Sequence, residues 1–230
     1  MIPTTDSPRA SPQSVVRQLI VIVCGAALPW IDNGMLDWVA MHSTSSALAT
    51  LAGLYAMIAT RIIGTLFIIF FATRSGSRMQ SMGFVKPRMP VDAICASVVA
   101  LYGWILSEIR AGFLSAGVSF GGLNAAAHST SNLHIRCLRV AMVVIVIPFF
   151  EEVAFRASAL SGATGKQRII MIFASSVMFG LAHWDFGFSA VCWAFAWGIG
   201  LSIIFLIRKS IWPVVVGHIA WNLYVVACGV

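Results

Sequence analysis

The chain of 230 residues is 59% hydrophobic and only 10% charged, with a mean hydropathy of +0.90, where an ordinary soluble domain carries roughly 25% charge. This composition excludes a water-soluble globule and reads as a multi-pass membrane protein; each crossing needs about 20 apolar residues, so the length suits one helical bundle with no room for a second, soluble domain. The net charge of +7 is spread over short gaps between apolar runs, which argues against nucleic acid as a partner and for charges that orient helices in a lipid bilayer.

Residues 1–13 combine three prolines with serines and threonines and show no apolar periodicity, so they read as a disordered tail. Residues 14–230 then form a single transmembrane domain. Its first helix is expected from Ser14 to Ile31; the run follows Arg9 and Arg17 but lacks a small-x-small cleavage site before Asp32 and Asp37, which favours a retained helix over a secretory signal. A second runs from Ser45 to Thr73 and carries Arg61, expected to snorkel or to pair within the bundle. A basic loop with Arg74, Arg78, Lys86 and Arg88 leads to a third helix, Val91 to Phe113, whose Glu108 and Arg110 fall near its end, within reach of interfacial water.

The segment 114–133 is rich in Gly, Ser, Asn and Ala, too polar for a clear span and long for a plain loop. A re-entrant or interfacial piece there would raise the count from about seven spans to eight. His128 and His134 are read as solvated or locally bonded. The fourth helix is expected from Ile135 to Ser161 with a kink at Pro148, the fifth from Gln167 to Trp184 after the turn Gly162-Ala163-Thr164-Gly165, the sixth from Phe188 to Ile207 and the seventh from Ile211 to Cys228. Cys24, Cys95, Cys137, Cys192 and Cys228 are scattered with no Cys-x-x-Cys, so they read as small buried apolar side chains. The Lys/Arg-bearing gaps, at the N-terminus, 74–88, 166–168 and 208–209, alternate with poor ones. The positive-inside rule then places the N-terminus in the cytoplasm.

Three stretches carry ionisable or polar groups where a spanning helix should be apolar. Glu151-Glu152-Val153-Ala154-Phe155-Arg156 lies inside the fourth helix, and charges at that depth cost at least about 3 kcal/mol on insertion scales, so they should face the protein interior. Residues four apart share a helix face and adjacent ones do not. Arg156 should therefore neutralise and orient Glu152, leaving Glu151 to project into a cavity. Phe179-Gly180-Leu181-Ala182-His183 puts a histidine in the fifth helix; the short turn makes helices four and five a packed hairpin, in which Glu151 and His183 lie at comparable heights. His218-Ile219-Ala220-Trp221-Asn222 presents a histidine and an asparagine on one face of the last helix. Together these supply a base, a proton shuttle and neutral donors, the requirements for hydrolysing an amide with activated water. No serine or cysteine sits in a nucleophile motif, and Ser175, Ser176 and Ser189 read as helix-packing residues.

The ordered triplet Glu-Glu-x-x-x-Arg (Glu151, Glu152, Arg156), Phe-x-x-x-His (Phe179, His183) and His-x-x-x-Asn (His218, Asn222) resembles the CPBP intramembrane proteases, the family of the type II CAAX prenyl endopeptidases and the bacterial Abi or bacteriocin-processing proteins. The resemblance spans about residues 138–225; Ala157, where many relatives have glycine, departs from it. It implies an all-α bundle with its catalytic core in the C-terminal helices, a bacterial plasma-membrane location, and peptide hydrolysis without a covalent intermediate on a peptide or membrane-associated protein substrate. By position, Glu151 and His183 would activate the water, His218 and Asn222 would stabilise the oxyanion, and Glu152, Arg156 and Phe179 would support the site. Glu151, His183 and His218 also suit a three-ligand zinc site with an open position for water, although no His-Glu-x-x-His is present; metal-assisted and purely acid-base hydrolysis both stay open. Trp184 and Asp185 read as an interfacial aromatic and a solvated carboxylate. The competing readings are a non-catalytic immunity or scaffold protein using the same core to bind and, in last place, a proton-coupled transporter, for which no internal repeat is found.

Overall fold

The computed structural model describes residues 16–28, 31, 46–74, 77–114 and 132–228. The N-terminal tail, Asp32 and Asp37, and most of the 114–133 segment with His128 lie outside these residues. The described chain folds into helices α1 (Val16–Leu28), α2 (Ser46–Arg74), α3 (Met89–Leu114), α4 (Leu133–Ser158), α5 (Gly165–Leu181), α6 (Phe188–Arg208) and α7 (Trp212–Cys228), with one 3-10 turn at Trp184–Phe186 and no strand among the described residues. Helices α2, α3, α4 and α6 are long and apolar enough to cross a membrane; α1 and α7 are apolar but shorter. The protein is an all-helical membrane bundle.

Its outside is as apolar as its core, as lipid requires: Ile63, Phe67, Ile94, Ile169, Phe173 and Ile207 are all more than half exposed. Solvent cannot sort side chains in such a chain, so packing relies on close approach of small residues. At Gly25 of α1 an added Cβ would lie 3.0 Å from the Cβ of Ala154, which lets α1 press on the middle of α4. Helix α4 runs through the centre, with Phe150, Val153, Ala154, Phe155 and Ala157 all at 0% exposure, flanked by α2 and α7, while α5 pairs with α6 and α3 packs on α6 and α7. Arg61 is buried, its guanidinium 4.7 Å from the centre of the Phe150 ring, which gives the expected pairing inside the bundle an aromatic partner. Ala157, the position that departs from the family pattern, is packed with no exposure.

The cysteine expectation is corrected. Cys24, Cys137, Cys192 and Cys228 are exposed and Cys95 is half-buried, all as free thiols. An apolar run in a lipid-facing helix does not tell an inward residue from an outward one, because both surroundings are apolar.

The described gaps that carry Lys and Arg meet at one end. The loop 77–88 folds over the start of α7, with Ile211 N–H donating to Gly83 O (3.0 Å) and Trp212 Nε1 to Val85 O (2.8 Å). The Ser81 hydroxyl meets the Ser161 hydroxyl at 3.1 Å, and Gln18 Nε2 donates to Ser161 O at 2.6 Å, tying α1 and the α4–α5 turn to the same end. Asp92 closes the cluster: its Oδ1 accepts from Nε and Nη2 of Arg208 (3.0 and 2.8 Å) and its Oδ2 from the Arg88 N–H (2.7 Å). Gly83 is the hinge of this arrangement, with φ of +83° and an added Cβ only 2.8 Å from the Ile211 nitrogen and from the Phe205 ring. Gly83→Ala should therefore cost about 2 kcal/mol through the left-handed backbone and the clash together, read as a lowered midpoint of denaturant unfolding in micelles; an unchanged midpoint would refute this account of the loop.

Candidate active site

The motif helix is not a regular α-helix. Pro148 has no N–H to give, and its ring would strike the carbonyl of Val144 in a regular turn; the chain is widened to π geometry over Met142–Val146, returns to α over Ile147–Glu152, and widens again over Val153–Ser158. Single π turns inside α-helices are frequent at functional sites. Each widened stretch is tied by a side chain from a neighbouring helix: Asn222 Nδ2 donates to Val143 O at 2.8 Å, and the Ser175 hydroxyl donates to Phe155 O. The expected kink at Pro148 is thus a pair of π turns that bracket Glu151 and Glu152 and re-aim both.

The two adjacent glutamates do have different partners. Arg156 Nη1 donates to Glu152 Oε1 at 3.3 Å with both side chains fully buried, the pair expected from their spacing. The same Oε1 accepts a second hydrogen bond, from Nδ1 of His218 at 2.8 Å. The other nitrogen of that ring, Nε2, faces Glu151 Oε2 at 3.7 Å. His218, on α7, therefore stands between the carboxylates, held by one and presented to the other. Glu151 is 5% exposed and His218 2%, so the apposition is inside the bundle.

Phe179 is the aromatic centre of the group. Its ring carries the Arg156 guanidinium at 4.3 Å, meets Phe155 edge-on at 5.3 Å, and lies 4.9 Å from the His183 ring and 6.2 Å from that of His218. Glycine at 198 permits this crowding, since an added Cβ there would sit 3.2 Å from Phe179 and 3.3 Å from Arg156 Nη2.

His183 departs from expectation in two respects. Helix α5 ends at Leu181, and His183 occupies the turn that follows, with φ of −104° and ψ of 16°. Gly187, at φ of +86°, then starts α6; a chain that must reverse between two packed helices leaves the helix earlier than its apolar run suggests. Nδ1 of His183 donates to Phe179 O at 2.8 Å, which fixes the ring and leaves Nε2 uncommitted to that bond. Glu151 and His218 lie in the same neighbourhood as His183, and the ring nitrogen that faces Glu151, at 3.7 Å, is Nε2 of His218. The hairpin brings Glu151 and His183 into one neighbourhood, and the last helix supplies the direct facing partner.

Asn222 spends an amide N–H on Val143, so its demonstrated contact holds α7 against the first π turn. Trp184 and Asp185 are exposed, as an interfacial aromatic and a solvated carboxylate would be. His134 is held locally, its N–H on the Asn132 side chain (3.0 Å) and its Nε2 sharing a hydrogen bond with the Tyr55 hydroxyl (3.0 Å). The residue that sequence reasoning missed is Trp197: its buried ring lies 4.5 Å from that of His218 and 6.4 Å from that of Phe179, walling the site from the α6 side. A signal was present in Trp193 and Trp197, four apart beside Gly198, but aromatics in a spanning helix more often face lipid.

Chemically, His218 can relay a proton. With Nδ1–H held by Glu152, Nε2 accepts a proton when the ring is neutral and donates one when it is charged. A separation of 3.7 Å from Glu151 is too long for a hydrogen bond and too short to seat a water between the two atoms, so a shared water would touch both from one side. The fit of a metal is another matter: among the described residues no group of three or more His, Cys, Asp or Glu is gathered closely enough to hold an ion. Glu151, His183 and His218 thus do not assemble into a three-ligand set in this arrangement, and no step is routed through a metal here.

Residues 132–224 match the family model described as type II CAAX prenyl endopeptidase Rce1-like. The match covers less than half of the chain and holds all three motifs. No similar chain is found among curated proteins or among solved structures. The helix with its two π turns, the His183 turn and the His218 helix all fall inside the segment that matches this Rce1-like family model.

Proposed function

We propose that this protein is an intramembrane endopeptidase that hydrolyses a peptide bond with water activated between Glu151 and His218. The observation that carries the reading is the 3.7 Å apposition of these two groups inside the bundle, with His218 held from behind by Glu152 and Arg156. A carboxylate and an imidazole close enough to touch one water together are a matched general base and acid. Glu151 takes a proton from the water as its oxygen attacks the carbonyl carbon. We assign His218, with its ring charged, and the second N–H of Asn222 as donors to the oxyanion that forms, and the proton taken by Glu151 passes on to the leaving amine as the C–N bond breaks. His183, fixed through Phe179, serves as the second group that orients the water.

Burial in a bundle surrounded by lipid favours a substrate that is itself membrane-associated, in keeping with the CAAX-processing or bacteriocin-processing roles of the resembled family. The clustered basic end, with Lys86, Arg88, Arg208 and Lys209, is assigned to the cytoplasmic side of a bacterial plasma membrane by the positive-inside rule.

Substitution of each glutamate by glutamine tests this division of labour. Glu151→Gln should lower peptide turnover in proteoliposomes by about 10²- to 10⁴-fold with little change in unfolding midpoint; full turnover would refute the assignment. Glu152→Gln should reduce both, because it leaves Arg156 buried without its counter-charge, at a cost of about 3 kcal/mol. A Glu152→Gln protein as stable as the wild type would remove Glu152 from its holding role. In membranes that contain the natural substrate, new peptide termini should appear with the wild-type protein and not with Glu151→Gln. The acid-base route further predicts that turnover survives dialysis against a strong zinc chelator; its loss, with recovery on adding zinc, would overturn that route in favour of a metal-assisted one.

A further inference from the structure

We propose that the apolar groove between α3 and α6 holds an acyl chain of an anionic phospholipid, whose headgroup rests on Arg88 and Lys209 at the basic end. The groove encloses about 270 Å³ and is bordered by Val98, Tyr102, Ile199, Gly200, Ile203 and Ile204, with Trp197 at its inner end. It offers nothing polar to a ligand, since the Tyr102 hydroxyl donates to Ala196 O at 3.1 Å and Trp197 Nε1 to Val99 O at 3.4 Å. Only a hydrocarbon chain fits such a lining. Val98 and Ile203 on its rim are 47% and 45% exposed, so the groove opens sideways to the bilayer. From Trp197 to Ile204 it follows about 10 Å of helix.

What selects the occupant is the charge at one end. Counting along the helices, Ile204 lies one turn from Arg208 on α6, and Val98 under two turns from Asp92 on α3. There Asp92 joins the two helices, taking Arg208 on one oxygen and the Arg88 N–H on the other. It is the carboxylate available at that end among the described residues, and both its oxygens are engaged. Lys86 and Arg88, just before α3, and Lys209, next to Arg208, have exposed side chains. An apolar slot that starts about one helical turn below a cationic rim is complementary to a chain below an anionic headgroup, and clustered cations favour such lipids. At the inner end the chain would meet Trp197, whose ring also packs at 4.5 Å on His218. Lipid occupancy would thereby brace the wall of the candidate site. The proposal does not depend on that site's chemistry.

The test uses the full-length protein in mild detergent, offered equal amounts of phosphatidylglycerol and phosphatidylcholine and read by native mass spectrometry. Phosphatidylglycerol should be retained about tenfold over phosphatidylcholine. Arg88→Gln with Lys209→Asn should bring the ratio to one; asparagine tolerates the left-handed φ of +50° at residue 209. Val98→Trp with Ile203→Trp, both at the exposed rim, should lower retention of phosphatidylglycerol at an unchanged melting temperature. Equal retention of the two lipids by the wild type, or undiminished phosphatidylglycerol in a folded groove-filled variant, would overturn the proposal. Should the variants unfold, the wild type with phosphatidylglycerol carrying a photoreactive acyl chain decides it: adducts on Tyr102 or Ile204 are expected, and adducts confined to other helices would overturn it.

Discussion

One carboxylate oxygen, Oε1 of Glu152, accepts from Arg156 at 3.3 Å and from His218 at 2.8 Å with no exposure to solvent. Removing a carboxylate from water is costly unless its charge is matched and its lone pairs are used, so this oxygen forces α7 to present His218 to α4 and forces the guanidinium to lie inward. The rest follows from that placement. Arg156 needs a flat surface for its other face and finds the ring of Phe179, and the same ring then sets where His183 stands. Gly198 clears the space that these bulky groups occupy.

The π turns show how the backbone accommodates this centre. A regular helix would give every carbonyl an N–H four residues on; around Pro148 that is impossible, and the widened turns at Met142–Val146 and Val153–Ser158 meet side chains from α5 and α7. Asn222 and Ser175 thus do for the backbone what regular hydrogen bonding does elsewhere. In a bilayer, where water cannot fill in, backbone polar groups must be satisfied from within the protein. The residue pattern His-x-x-x-Asn therefore serves two jobs from one face of α7, the histidine in the site and the asparagine on the helix that bears it.

The opposite arrangement holds at the basic end. There Asp92, Arg208, Gly83, Ser81 and Ser161 join loops through hydrogen bonds, and the exposed cations lie on the surface rather than in the core. The bundle is polar at its buried candidate site and at its basic rim, and apolar between them and outward.

Much of this was legible in the residues themselves. The seven helices among the described residues, the α4–α5 turn and the clustering of the described basic gaps follow from apolar run length, from Gly162 and Gly165, and from alternating charge, because lipid imposes length and charge rules that act locally along the chain. The Glu152–Arg156 pair was legible too, since helical spacing by itself puts residues four apart on one face. Which way the cysteines face was not, because lipid and protein interior are equally apolar to a side chain. Nor was the end of α5 before His183, which depends on how sharply the chain must turn to pack α6 beside it. The facing of His218 and Glu151, the wall made by Trp197 and the use of Asn222 on the Val143 carbonyl were decided by tertiary structure alone: each joins residues of different helices, 21 to 79 positions apart, and only the packed bundle sets the distance between them.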